Sequence, residues 1–178
     1  MKQAIRTAAL VSAIILVAML RPATAQSASI QAEMLKDWTD LKTTMTKIAN
    51  EMPEDKYSFK PTPPQQDYGQ RVVHIAQVNV QFLGMLGGKT TAPTIDAKAT
   101  AKEAAMKAMA DSFDYGIAIL KEQTDQTMLQ TIAGPPFLGR STRARIYTFL
   151  IGHTWDIYGQ MAVYLRLNGH VPPASQRP

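Results

Sequence analysis

Proline and glycine clusters cut residues 29–169 into four stretches of roughly 20–28 residues, each with one apolar stripe at helical spacing. In the first, from about Ser29 to Asn50, Met34, Trp38, Leu41, Met45 and Ile48 fall at alternating steps of four and three. That rhythm puts all five on one face of an α-helix. Asn50 and Pro53 end it, and residues 52–64 hold four prolines in 13 positions, which excludes helix and central strand. Tyr57 and Phe59 in this loop are expected to pin it down by burying their rings. A second helix is predicted from about Tyr68 to Leu86, with Val72, Val73, Ile75, Ala76, Phe82 and Leu83 inward and Gly87-Gly88 as its stop. A third is predicted from about Asp96 to Glu122, where Ala101, Ala105, Ala108, Ser112, Tyr115 and Ile119 repeat the rhythm with small side chains that permit close packing. The last starts near Ser141, read as its N-cap, and ends at Asn168-Gly169, with Pro172 and Pro173 beyond.

No stretch of useful length alternates with a period of two, and there is no internal repeat and no second hydrophobic core. Four single-striped helices bury their stripes best against one another, so the expected fold class is all-α, a four-helix bundle. The proline-rich first connection is long enough to cross over, and a simple up-down-up-down order is not forced. With no cysteine, the core holds without disulfides, and thiolate metal sites and cysteine nucleophiles are excluded.

Ahead of the first stripe stands a different grammar. Lys2 and Arg6 precede an apolar run from Ala8 to Leu20, broken only by Ser12, and Ala23-Thr24-Ala25 follows as a small-x-small cleavage site. This is the pattern of a secretory signal peptide, and the run of 13 is short of the roughly 20 residues that span a bilayer. The expected organisation is a signal peptide over 1–25, a helical bundle over 26–173 and a tail over 174–178. The expected location is exported, periplasmic or secreted, with no membrane association after cleavage. The net charge of +5 would fall to +2 on loss of Lys2, Arg6 and Arg21. A small charge spread along the chain is no footprint for nucleic acid. A homodimer and a small-molecule ligand are left open.

Few positions carry chemistry. His74 lies mid-way along the second helix between Val73 and Ile75, and His153 lies in the last helix with Asp156, Ile157 and Gln160 at i+3, i+4 and i+7. If those helices are neighbours, the two imidazoles meet, and with a carboxylate and water they suit Zn²⁺, Ni²⁺ or Fe²⁺. The alternative is a pair of histidines hydrogen-bonded in a polar core pocket, since no local H-x-x-x-H or H-E-x-x-H signature is present. His170, beyond Gly169, reads as a surface residue. Asp111 and Asp114 read as a solvated helix face, and Ser141-Thr142 as a helix start without a nucleophile elbow.

The segment Gly-His-Thr-Trp-Asp-Ile-Tyr-Gly-Gln-Met-Ala-Val-Tyr-Leu-Arg-Leu-Asn-Gly-His-Val-Pro-Pro, residues 152–173, resembles the last helix of the DinB/YfiT-like superfamily. Members read H-x-x-x-H-x-G-Q there, then a Tyr-Leu-Arg run, Gly and Pro-Pro. Met-Pro-Glu-Asp-Lys-Tyr-Ser-Phe-Lys-Pro, residues 52–61, resembles the loop between the family's first two helices. Tyr-Gly-Gln-Arg-Val-Val-His-Ile-Ala, residues 68–76, resembles the helix with its first metal histidine. The resemblance spans about residues 29–173 and implies a four-helix bundle, often with a divalent metal on three histidines. It places the first ligand on His74, the second on His153 and the third on position 157. Here position 157 is isoleucine, which coordinates nothing. Asp156 substitutes only if the helix rotates, because adjacent positions differ by about 100° around the axis.

Two functions follow. One is a divalent-metal-dependent enzyme of transferase, isomerase or hydrolase type, with the ion on His74 and His153 and Asp156 or Gln160 tuning it. Thiol-dependent relatives use cytoplasmic cofactors, which sits badly with an export signal. The other, favoured, is an exported bundle with a degenerate two-histidine pocket that binds a small ligand or partner, where Ile157 and Gln160 line the pocket and no cofactor is needed.

Overall fold

The computed structural model describes residues 29–176, and the proposed signal peptide, its cleavage site, Gln26 and the last two tail residues lie outside them. Four long helices carry the fold: α1 (Ile30–Glu51), α2 (Tyr68–Leu86), α3 (Lys102–Lys121) and, after the one-turn α4 (Asp125–Met128) and the strands β1 (Thr131–Ala133) and β2 (Arg140–Thr142), α5 (Arg143–Leu167).

Local chemistry sets most of the ends. Ser29 caps α1 by accepting the Ala32 N–H, and its hydroxyl donates to Asp125, whose carboxylate also accepts the Gln31 N–H. Asp67 and Gln70 close a capping box on α2, which ends at Gly87 in a left-handed conformation (φ 72°). Asn168 caps α5 and Gly169 (φ 80°) turns the chain away.

The stripes meet in one core around Trp38, Met45, Ile48, Tyr68, Leu83, Phe113 and Ile119, each at most 1% exposed. Each such side chain contributes about 1.5–3 kcal/mol by leaving water. The helices are not in sequential order around this core. α1 packs on α3 and α5, and α2 packs on the same two, so α1 and α2 lie diagonally opposite. Contacts between Trp38 and Phe113 and from Lys102 to Asn50 run α1 and α3 antiparallel. Asn79–Ser112 and Gly69–Thr100 run α2 and α3 parallel. Tyr68–Tyr164 and Phe82–Phe149 run α2 and α5 antiparallel. The proline-rich loop therefore crosses the bundle. Tyr57, 3% exposed, fastens it through its hydroxyl to the Ala49 carbonyl, and half-buried Phe59 stands edge-on to Tyr164.

Three expectations need correction. The third helix begins at Lys102, not near Asp96, and Ala101 is exposed. Asp96 instead accepts the Lys98 N–H in a local turn, and the Thr100 carbonyl presses on Gly69, where a Cβ would stand 2.0 Å away. Ser141 is not the N-cap of the last helix. It is buried in β2 opposite Ile132 and donates to the Leu138 carbonyl, while Thr142 caps by accepting the Arg145 N–H. The expected all-α class meets one exception in the ribbon β1–β2, three residues a side and antiparallel.

Candidate functional site

The seam between α2 and α5 brings His74 and His153 together. On α2, Arg71, His74, Val78 and Phe82 recur at steps of three and four, and on α5 so do Phe149, His153, Asp156 and Gln160. The stacked pair Phe82–Phe149 and the tilted pair Tyr68–Tyr164, with centroids 5.2 and 6.1 Å apart, hold the two faces in register. Between them the Nε2 atoms of His74 and His153 stand 3.2 Å apart, with the rings edge to face.

At that distance one ring donates N–H and the other accepts. Both histidines are half-buried, and burial is the first cause that pulls each pKa below the ordinary value. The Arg71 charge depresses His74 further. His153 is depressed by His74 and pulled back up by Asp156. At neutral pH the pair is therefore neutral, and it carries one Nδ1–H and one bare Nδ1 in either tautomer. The Nδ1 of His153 is buried without a hydrogen-bond partner among the described residues.

The other residues expected at the site do not close on the pair. Ile157 is 2% exposed and belongs to the core cluster. Asp156 is exposed and accepts a 2.8 Å hydrogen bond from the Gln160 amide on its own helix. Gln160 is half-buried and lines a cavity of about 230 Å³ with Pro61, Gln65, Val163 and Tyr164. Elsewhere, Asp111 pairs with Lys107 and Asp114 with Lys42 on the surface, and His170 is half-buried.

These residues meet the needs of a divalent ion only in part. Two nitrogens bound to one tetrahedral ion at about 2.0–2.1 Å lie about 3.3 Å apart, close to the spacing here. A third protein ligand is missing, since among the described residues no group of three or more histidines and carboxylates is placed to hold a metal. The unpaired His153 Nδ1 also lacks the acceptor that fixes a metal-bound imidazole. The donor set does not fit the three-ligand centre that the resemblance implies.

Arg71 is the residue that sequence reasoning passed over. Its Nε is buried without a partner, and its side chain forms no ion pair among the described residues. The signal was its place three residues before His74, which puts both on one helix face.

The DinB family profile matches residues 19–178. A crystal structure of a DinB-like protein from Bacillus cereus is 20% identical, and the alignment covers 82% of this chain and 96% of that one with a TM-score of 0.64. A DinB-like protein from Bacillus subtilis is 17% identical, with 82% of this chain and 99% of that one covered and a TM-score of 0.62. At these identities the likeness shows the fold. No curated protein matches the chain.

Proposed function

The chain belongs to the DinB family, and from that premise we propose that it is an exported bundle whose α2–α5 seam binds a small ligand at His74 and His153 without a resident metal. Buried Ile157 carries this reading, because the position where the family resemblance implies a third ligand holds a hydrocarbon that packs into the core. A histidine pair without that ligand remains a polar, hydrogen-bonding floor for an organic molecule.

The second reading is a divalent-metal-dependent enzyme, and the 3.2 Å separation of the two Nε2 atoms favours it. Metal analysis of protein purified without a polyhistidine tag decides between them. The first reading expects the same low content in the native chain and in His74→Ala. One equivalent in the native chain, lost in His74→Ala, overturns it in favour of the enzyme. Export is tested separately, by mass spectrometry of the protein from its native host. A species that begins at Gln26 is expected, and one that begins at Met1 sinks that part of the proposal.

A further inference from the structure

α1 and α5 pack side by side and run parallel, tied by the hydrogen bond from the Tyr147 hydroxyl to the Met34 carbonyl. On their outer side they leave a groove. A cavity of about 290 Å³ lies between Ile30, Met34, Tyr147 and Ile151, and a second of about 300 Å³ lies between Leu41, Thr44, Ile151 and Trp155. Asp37 and Ile151 line both, so the two cavities join at that pair. The walls differ in charge. The α1 rim carries Glu33, Asp37 and Asp40, while the α5 wall, made of Tyr147, Thr148, Ile151 and Trp155, carries none. Asp40 pairs with Lys36, and Glu33 and Asp37 enter no ion pair among the described residues. Burial first and the Asp37 charge second hold the Tyr147 phenol above its ordinary pKa, so the field of that carboxylate reaches the floor. Trp155, 47% exposed and braced edge to face by Tyr158, shares the second cavity with Asp37.

We propose that the α1–α5 groove binds a small organic ammonium ion, its charged head between Asp37 and Trp155 and its hydrocarbon body along Met34, Leu41 and Ile151. An apolar floor takes up hydrocarbon, an unpaired carboxylate takes up a cation, and an indole face attracts an ammonium group better than other rings do. An inorganic cation would gain nothing from the floor. A second copy of the chain, related by a two-fold axis, would set the same carboxylates against each other. The groove is separate from the histidine pair, and its failure as a site leaves the reading of the α2–α5 seam standing.

Hexylammonium, hexan-1-ol and hexanoate hold the chain length constant and vary the charge. The native chain has two tryptophans, of which Trp38 is fully buried, so a change in indole fluorescence reports on Trp155. Hexylammonium is expected to change that emission to saturation and to bind roughly fivefold tighter than hexan-1-ol, with hexanoate the weakest. Asp37→Asn, a change at an exposed helix position, should bring the amine to within about twofold of the alcohol at unchanged far-UV circular dichroism. Methylammonium should bind at least about tenfold more weakly than hexylammonium, because it buries no chain. Equal binding of the amine and the alcohol by the native chain overturns the cation assignment. Equal binding of methylammonium and hexylammonium reduces the site to surface charge and overturns the groove. A fluorescence change that persists in Trp155→Phe puts the probe elsewhere, and no saturable change in emission or in nitrogen-15 amide shifts with any probe also sinks the proposal. A chain that sediments as a dimer and is split by Ile151→Glu assigns the groove to a second copy instead.

Discussion

The two antiparallel seams of the bundle, α1 on α3 and α2 on α5, have similar lengths and opposite chemistry. In the first, buried polar groups find partners within the chain. The Trp38 indole N–H donates to the Phe113 carbonyl, and Lys102 donates to the carbonyls of Asn50 and Met52 at the end of α1. Trp38 reaches its place because Gly116 on α3 has no side chain to block it. In the second seam, Arg71 Nε and His153 Nδ1 are buried without partners, and the central contact is an imidazole pair that titrates low. Satisfied polar groups hold a fold in one arrangement, while unsatisfied ones cost free energy that a binding site can recover when a ligand arrives. The contrast separates the part of the bundle that keeps the fold from the part that is open to chemistry.

Trp38→Ala breaks the contrast on its stable side and has the largest expected effect. The ring is fully buried, lies tilted against Phe113 with centroids 4.8 Å apart and donates its one hydrogen bond. Its loss should cost about 3–5 kcal/mol, read as a lower midpoint in denaturant. A cost below about 1 kcal/mol would mean that the α1–α3 seam does not dominate stability.

Ile157→His sharpens the other side. Position 157 lies one turn from His153 on α5, so the change should rebuild a three-histidine wall with His74. Without metal the buried imidazole should cost about 1–3 kcal/mol. With Zn²⁺ or Ni²⁺ at a hundredfold excess over Kd it should regain about 2.7 kcal/mol, which the native chain does not. Thermal melts of both chains with and without the ion check this. If neither chain responds, the histidines do not share a site.

Gly116→Ala should follow, at about 1–3 kcal/mol. The added Cβ would stand 2.4 Å from the Trp38 Nε1 and 2.8 Å from a Leu83 methyl, and Trp38 is held by its own hydrogen bond and cannot give way. Gly159→Ala on the exposed side of α5, where the Cβ meets nothing, is the control and should stabilise slightly through helix propensity. Equal destabilisation by the two would refute a packing role for Gly116.

How much of this was legible follows from where each signal is stored. α2 is bounded in the sequence as in the structure, because its capping box and its Gly87 stop are local. The start of α3 is not, because Thr100 against Gly69 and Lys102 on the end of α1 fix it, and those partners are 31 and about 50 residues away. The diagonal order of α1 and α2 was permitted by the loop and not dictated by it. The two histidines are 79 residues apart, so no local motif joins them; their helix positions allowed them to meet if the helices were neighbours, the resemblance paired them, and Ile157 was readable as its departure. Asn79 was missed because its burial beside Ser112 is a property of the folded neighbourhood, and Arg71 because its place three residues before His74 does not tell that its Nε goes without a partner.

The smallest expected effect is on pH, and it isolates the polar seam. His74 and His153 both have folded pKa values below the unfolded 6.5, with burial as the first cause. As pH falls below about 6.5 the unfolded chain takes up protons that the folded chain refuses, so stability is full above that value and declines toward the lowered folded pKa values. Glu122 and Asp125 are also shifted, but downward from ordinary carboxylate values by their hydrogen bonds, so the stability they confer is lost only below about pH 4. A comparison of Tm at pH 7.5 and 5.5 therefore reads the histidines alone among the shifted groups. The native chain should lose more over that interval than the double variant His74→Gln, His153→Gln, whose amides do not titrate. An equal loss in both would show that the two imidazoles bind protons alike in the folded and unfolded chain, and burial would then not set the polar seam apart.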